Sequence, residues 1–228
     1  MTFAAASFPV AVSRPHLDAF DAIWSWLAEP GGWWTGEQKV AVASLTRAAE
    51  ARPLWDRRPS TIDHLGFAAA EGEPISPLVV DTVERIAVEA GSIERSWAEA
   101  VIAILGDAAY AELVSVVASV VPIDRACALL GRPIEALPDP DDGEPTGERA
   151  AETVGIGSYL PVQAGFGGAN VAKSLSVAPT ANMMRLGLVR ALYSGTRFGE
   201  LKWDDGSLNR PQVELLAART SALNECFY

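Results

Sequence analysis

Residues 35–51 read Thr35-Gly-Glu-Gln38-Lys-Val-Ala-Val-Ala-Ser-Leu-Thr-Arg-Ala-Ala-Glu-Ala51. Thr35 followed three residues on by Gln38 is a capping box. The threonine hydroxyl and the glutamine side chain can each satisfy a backbone N–H that a helix start leaves unpaired. The run of Ala, Val and Leu behind it predicts a helix through Ala51, ended before Pro53, since the residue preceding a proline is pushed out of the α region. The same 3.6-residue period recurs on both sides. From His16 to Glu29 it places Leu17, Phe20, Ile23, Trp24 and Leu27 on one face, and Pro30-Gly31-Gly32 stops the run. Ser76-Pro77 puts a proline at the first helical position ahead of Val79, Val80, Val83, Ile86 and Ala87. Ser92 is expected to cap a helix through Trp97, Val101 and Leu105 to Gly106. Asp107 is expected to cap another, bearing Tyr110, Leu113, Val114, Val117 and Val121. No stretch alternates with period two, so the predicted fold class is all-α.

The 228 residues are enough for a full hydrophobic core, and 49% hydrophobic with 21% charged residues excludes wholesale disorder. The net charge of −11 repels phosphate backbones and anionic lipid, which argues against nucleic-acid and membrane partners. No basic residue precedes the apolar start of the chain, so no signal peptide is expected. The apolar stretch from Leu113 to Ile123 is too short to span a bilayer. A soluble, reducing, cytoplasmic setting is expected, with Cys127 and Cys226 both free.

The pattern breaks at Leu137-Pro-Asp-Pro-Asp-Asp-Gly-Glu-Pro145, which reads as an exposed acidic linker, and Gly155 to Gly168 continues as loop. Helical pattern returns near Asn170 and from Pro179 to Phe198. A last helix opens at Asn209, which pairs with Gln212 in a second capping box. A shift of 174 residues superposes the two boxes and matches Gln38 with Gln212, Ala43 with Ala217, Thr46 with Thr220 and Ala48 with Ala222. Two related helical modules follow: residues 16–133, a linker over 134–168, and an incomplete second module over 169–228.

Cys226 is the residue most suggestive of chemistry. Asn224 can cap a new helix that places Cys226 in its first turn, where unpaired N–H groups and the dipole favour a thiolate. The alternative is a small apolar residue packed at a helix junction. Glu214 is its candidate partner, provided the chain turns near Asn224, because twelve residues of straight helix rotate by about 120°. The alternative for Glu214 is a solvated first-turn carboxylate complementing the dipole.

The segment from Gln212 to Tyr228, with Glu214 twelve residues ahead of Cys226, resembles the active-site segment of the AhpD-like and carboxymuconolactone decarboxylase superfamily. Residues 35–55 and 107–131, the latter with Glu112-Leu-Val-Ser-Val-Val-Ala118 and Asp124-Arg125, resemble it too. Arg52 and Trp55 stand there where the family's two cysteines fall, as in a degenerate copy. The resemblance implies a helical bundle and a thiol-dependent peroxidase. A thiolate attacks peroxide oxygen and becomes a sulfenic acid, a second thiol condenses with it, and a dithiol reductant restores the pair. It implies catalytic roles for Cys226, as resolving thiol, and Glu214, as proton acceptor. It also implies a Cys-x-x-Cys-His motif that residues 1–228 carry only in part, and a homo-oligomer. A catalytically silent oligomerisation protein and a lactone decarboxylase remain the alternatives.

Other features carry less. Gly165-Phe-Gly167-Gly168 lacks the preceding strand and the spacing of a nucleotide loop, so no cofactor is expected. His16 and His64 cannot supply a multi-histidine metal cage and read as surface residues. Cys127, between Ala126 and Ala128, reads as a core thiol. Trp24 reads as core, while Trp33-Trp34 could form an interface patch.

Overall fold

The computed structural model describes residues 3, 7–51, 58–194 and 208–223. They form an all-α fold: α1 (Arg14–Ala28), α2 (Gly36–Glu50), α3 (Pro77–Val88), α4 (Arg95–Leu105), α5 (Asp107–Leu129), the short α6 (Asn170–Lys173), α7 (Pro179–Ser194) and α8 (Arg210–Leu223). The expected loop from Gly155 to Gly168 belongs to a minimal antiparallel hairpin, in which Thr153 pairs with Gln163 and Val154 with Val162.

The helix starts follow local chemistry. Thr35 and Gln38 form the capping box in both directions, and the Ser76 side chain accepts from the Val79 N–H. Two caps fall elsewhere than expected. Ser92 lies in a single 3-10 turn (Ala90–Ser92), and α4 starts after Glu94, whose side chain does not cap it. Gly106 takes the N-cap position of α5 at φ 89°, a conformation open to glycine, and α4 and α5 meet there at 112°. Asp107 instead pairs with Arg149 at 2.7 Å.

α5 is the central helix, contacting α1, α2, α3, α4 and α7, while α7 also lies along α1. Its Leu113, Val116, Val117, Val120 and Ile123 are buried in one core cluster with Phe20, Ile23, Trp24 and Leu27 of α1 and Leu78 and Val83 of α3. Trp24 belongs to this core, as its helical spacing predicts, and gives its indole N–H to the Ala136 carbonyl at 2.8 Å. Trp33 and Trp34 part company: Trp34 is buried and donates to Ala109 O, whereas Trp33 is 40% exposed. Arg47 of α2 holds Asp124 of α5 through two bonds, of 2.6 and 2.8 Å, with a third to Glu135 O. Among the described residues no single helix is long and apolar enough to cross a membrane.

The acidic segment after residue 137 has neither helix nor strand until Thr153, yet it is fastened along its length. Asp141 N–H donates to Ala28 O, Thr146 N–H to Gly31 O and Gly147 N–H to Gly32 O. The Glu148 carbonyl accepts the Trp33 indole N–H, and its carboxylate accepts the Thr180 N–H that opens α7. The segment therefore works as a strap across the α1–α2 turn.

The close approach of the end of α1, with the strap behind it, dictates Gly36. A Cβ there would stand 2.0 Å from Ala28 O and 2.9 Å from Asp141 O, both backbone atoms. Gly36→Ala is expected to destabilise the protein by about 1–3 kcal/mol, the usual penalty of overpacking. Gly187→Ala, on an open helical site with nothing within 4 Å, should stabilise by about 0.5–1 kcal/mol. Urea midpoints of the two variants check both signs.

Candidate functional site

α8 is opened by the expected second capping box. Asn209 N–H donates to Gln212 Oε1 at 2.8 Å and Gln212 N–H to Asn209 Oδ1 at 3.1 Å. Its match to α2 extends inward. Thr46 Oγ1 donates to Val42 O at 2.8 Å and Thr220 Oγ1 to Leu216 O at 2.9 Å, pairs that the 174-residue shift brings into register. The two helices differ in burial. α2 sinks Lys39, Val42, Ala43 and Thr46 into the core, whereas no residue of α8 is buried.

Glu214 lies on the half-buried side of α8 with Val213 and Ala217. The Tyr193 hydroxyl, at the end of α7, donates to Glu214 Oε2 at 3.2 Å, and Arg210 Nε stands 3.6 Å from Oε1. Burial raises the Tyr193 phenol above its ordinary value, and the Glu214 charge and hydrogen bond add to the rise, so Tyr193 remains a donor at neutral pH. A carboxylate held between a phenol and a guanidinium can accept a proton from a third group on its open side. Cys226, with Asn224, lies outside the described residues. Cys127 is a fully buried core thiol, as its neighbours suggest. Burial pushes its pKa up, and the hydrogen bond from Arg132 opposes that push. His64 is exposed, and half-buried His16 contacts Ser13 through its ring.

A second charged constellation has no signature in local sequence. Glu112 of α5 is 1% exposed, and its carboxylate accepts Gly32 N–H at 3.2 Å and Trp33 N–H at 2.7 Å. A Cβ on Gly31 would stand 1.7 Å from Glu112 Oε1, which reserves that position for glycine. Lys39 of α2 is fully buried, donates to Trp26 O and lies 4.5 Å over the Trp26 ring. Burial lowers the Lys39 pKa to about 8, against the attraction of Glu112 and Glu29. Burial likewise raises Glu112, against the Trp33 N–H, Lys39 and the Gly32 N–H. Lys39 and Glu112 are 73 positions apart, and only the packing of α2 on α5 reveals the pair.

A third constellation joins residues 58–60 to α3. Arg58 gives Nη1 to Asp81, Nη2 to Glu84 and Nε to Glu89, at 2.9, 2.6 and 2.9 Å. Burial works against its charge, but the hydrogen bonds with Glu84, Asp81 and Glu89 outweigh it and hold Arg58 protonated. Arg85 donates Nε to Asp81 at 2.7 Å and Nη2 to Pro59 O at 2.6 Å.

The lowered pKa of Lys39 fixes a pH dependence. From about pH 8 to the ordinary lysine value of about 10.4, the folded protein has lost the Lys39 proton while the unfolded chain retains it. The unfolded state then binds more protons, so stability rises with pH over that window. Lys39→Met removes this contribution. Urea midpoints at pH 7, 8, 9 and 10 should show the wild type gaining on the variant above pH 8, and parallel curves would contradict the assignment.

Compared with known proteins, this chain matches no family model, no curated protein and no solved structure.

Proposed function

We propose that the chain carries part of an AhpD-like thiol-dependent peroxidase, with Glu214 as proton acceptor and Cys226 as the resolving thiol. The observation that supports this reading is the half-buried Glu214 carboxylate, held by Tyr193 and Arg210 on a helix whose onward chain leads in twelve residues to Cys226. In the proposed cycle a peroxidatic thiolate attacks one peroxide oxygen, and the O–O bond breaks. The alcohol leaves with a proton, and the sulfur becomes a sulfenic acid. The Cys226 thiolate then attacks that sulfur and water leaves, giving a disulfide that a dithiol reductant returns to two thiols. Glu214 takes the Cys226 proton, and the Tyr193 hydroxyl fixes the orientation of the carboxylate that receives it. Such chemistry needs no cofactor and belongs in a reducing compartment such as the cytoplasm.

The exposed side of α8 favours homo-oligomerisation as an accompanying property. Leu215, Leu216 and Leu223 are 70%, 57% and 67% exposed and share one side of the helix, opposite the side bearing Val213, Glu214 and Ala217. Apolar stripes of this kind are usual where a helix meets another chain.

Thiol labelling tests the reading. At pH 7, Cys226 should react with iodoacetamide about tenfold faster than Cys127 or more, because Cys127 is fully buried with a raised pKa. Glu214→Gln should slow Cys226 and leave Cys127 unchanged. Equal, slow labelling of both thiols in the wild type would overturn the proposal.

A further inference from the structure

The strap across the α1–α2 turn is pinned at two places. Asp141 N–H donates to Ala28 O at 2.9 Å, and the N–H groups of Thr146 and Gly147 donate to Gly31 O and Gly32 O at 3.0 and 2.7 Å. Between the pins runs the exposed stretch Asp142-Gly143-Glu144, and no described residue accepts a hydrogen bond from its backbone N–H groups. Packing reserves the middle position for glycine. Gly143 has φ 150°, and a Cβ there would stand 2.6 Å from Pro30 Cγ. Asp142 is therefore followed by a residue with no side chain to shield its nitrogen. It is the only Asp-Gly pair among the described residues.

That pairing has a chemistry of its own, with water as the only co-reactant. The Gly143 nitrogen attacks Asp142 Cγ and forms a bond to it. The Cγ–OH bond breaks, and the hydroxyl leaves with the amide proton as water, which gives a cyclic imide. Water then adds to the imide. Addition at the main-chain carbonyl carbon breaks its bond to Gly143 N, routes the chain through Cγ and frees the α-carboxylate. The product, isoaspartate, keeps the charge of aspartate and lengthens the backbone by a methylene. The neighbours are protected from the same reaction. Pro140 has no amide proton to lose to Asp139, and the Asp142 side chain shields the nitrogen that Asp141 would need. The added methylene lies between two fixed pins, beside the Gly143–Pro30 contact, so the strap can absorb it only by moving. We propose that Asp142 is a site of isoaspartate formation in the folded protein, and that the lengthened backbone lifts the strap from the Gly31 and Gly32 carbonyls.

The test ages the full chain at pH 7 and 37 °C. Isoaspartate is located in its peptides by electron-transfer fragmentation and by methyl transfer from an isoaspartyl carboxyl methyltransferase. Asp142 should convert progressively, while Asp139 and Asp141 of the same peptide should not. Asp142→Asn should give the same product faster, because an amide carbon is a better electrophile than a carboxylate carbon. Asp142→Glu, which would need a larger ring, should give none. In the converted protein, amide exchange at Thr146 and Gly147 should be about tenfold faster, the effect of losing one hydrogen bond. Aged Asp142→Glu should keep the original exchange rates at both amides. Absence of isoaspartate at position 142 from the wild type or from Asp142→Asn, or equal conversion at Asp139 and Asp141, would overturn the site. Unchanged exchange at Thr146 and Gly147 after conversion would overturn the lifting of the strap.

Discussion

The buried carboxylate of Glu112 is the constraint around which the rest is arranged. It sits on the central helix α5 and takes the N–H groups of Gly32 and Trp33, which the sharp α1–α2 turn has removed from any helix. Because that turn is fixed, Gly31 and Gly32 present their carbonyls outward to Thr146 and Gly147, and the acidic strap docks on them. Because the strap is docked, Glu148 reaches the first turn of α7. One carboxylate thus links the central helix, the turn, the strap and the helix beyond it. Removing it leaves the Gly32 and Trp33 N–H groups without their acceptor and takes from the buried Lys39 ammonium one of the two carboxylates that attract it, an expensive way to break a polar contact.

Much of the helical framework was legible in residue spacing. Both capping boxes form as Thr35–Gln38 and Asn209–Gln212 suggest, and the Leu17–Leu27 stripe is buried face for face. These signals act within a single turn, where side chain and backbone meet without help from the fold. The misplaced caps at Ser92 and Asp107 have a local cause as well: a 3-10 turn and a positive-φ glycine compete with the polar side chain for the helix start.

What spacing could not convey was contact between distant positions. Proline and acidic composition mark residues 137–145 as irregular and mostly exposed, and they are, but nothing in that composition announces the bonds to Ala28, Gly31 and Gly32. The division of Trp33 from Trp34 depends on which indole meets Ala109 and which meets Glu148. At the candidate site, Glu214 stood out by its distance from Cys226, whereas Tyr193 carried no signal because it lies 21 residues upstream on another helix. A tyrosine near the end of an apolar helix reads as packing until a partner is seen.

The placement of α7 bears on how the protein is made. α7 lies along both α1 and α5, yet it leaves the ribosome only after the chain from residue 29 to 178 has been synthesised. At about 5–20 residues per second that interval is on the order of 10–30 s. During it the side of α1 that α7 covers has no native neighbour. A nascent chain in this condition is a substrate for chaperones that hold exposed apolar helices, and the dependence ends once α7 has emerged.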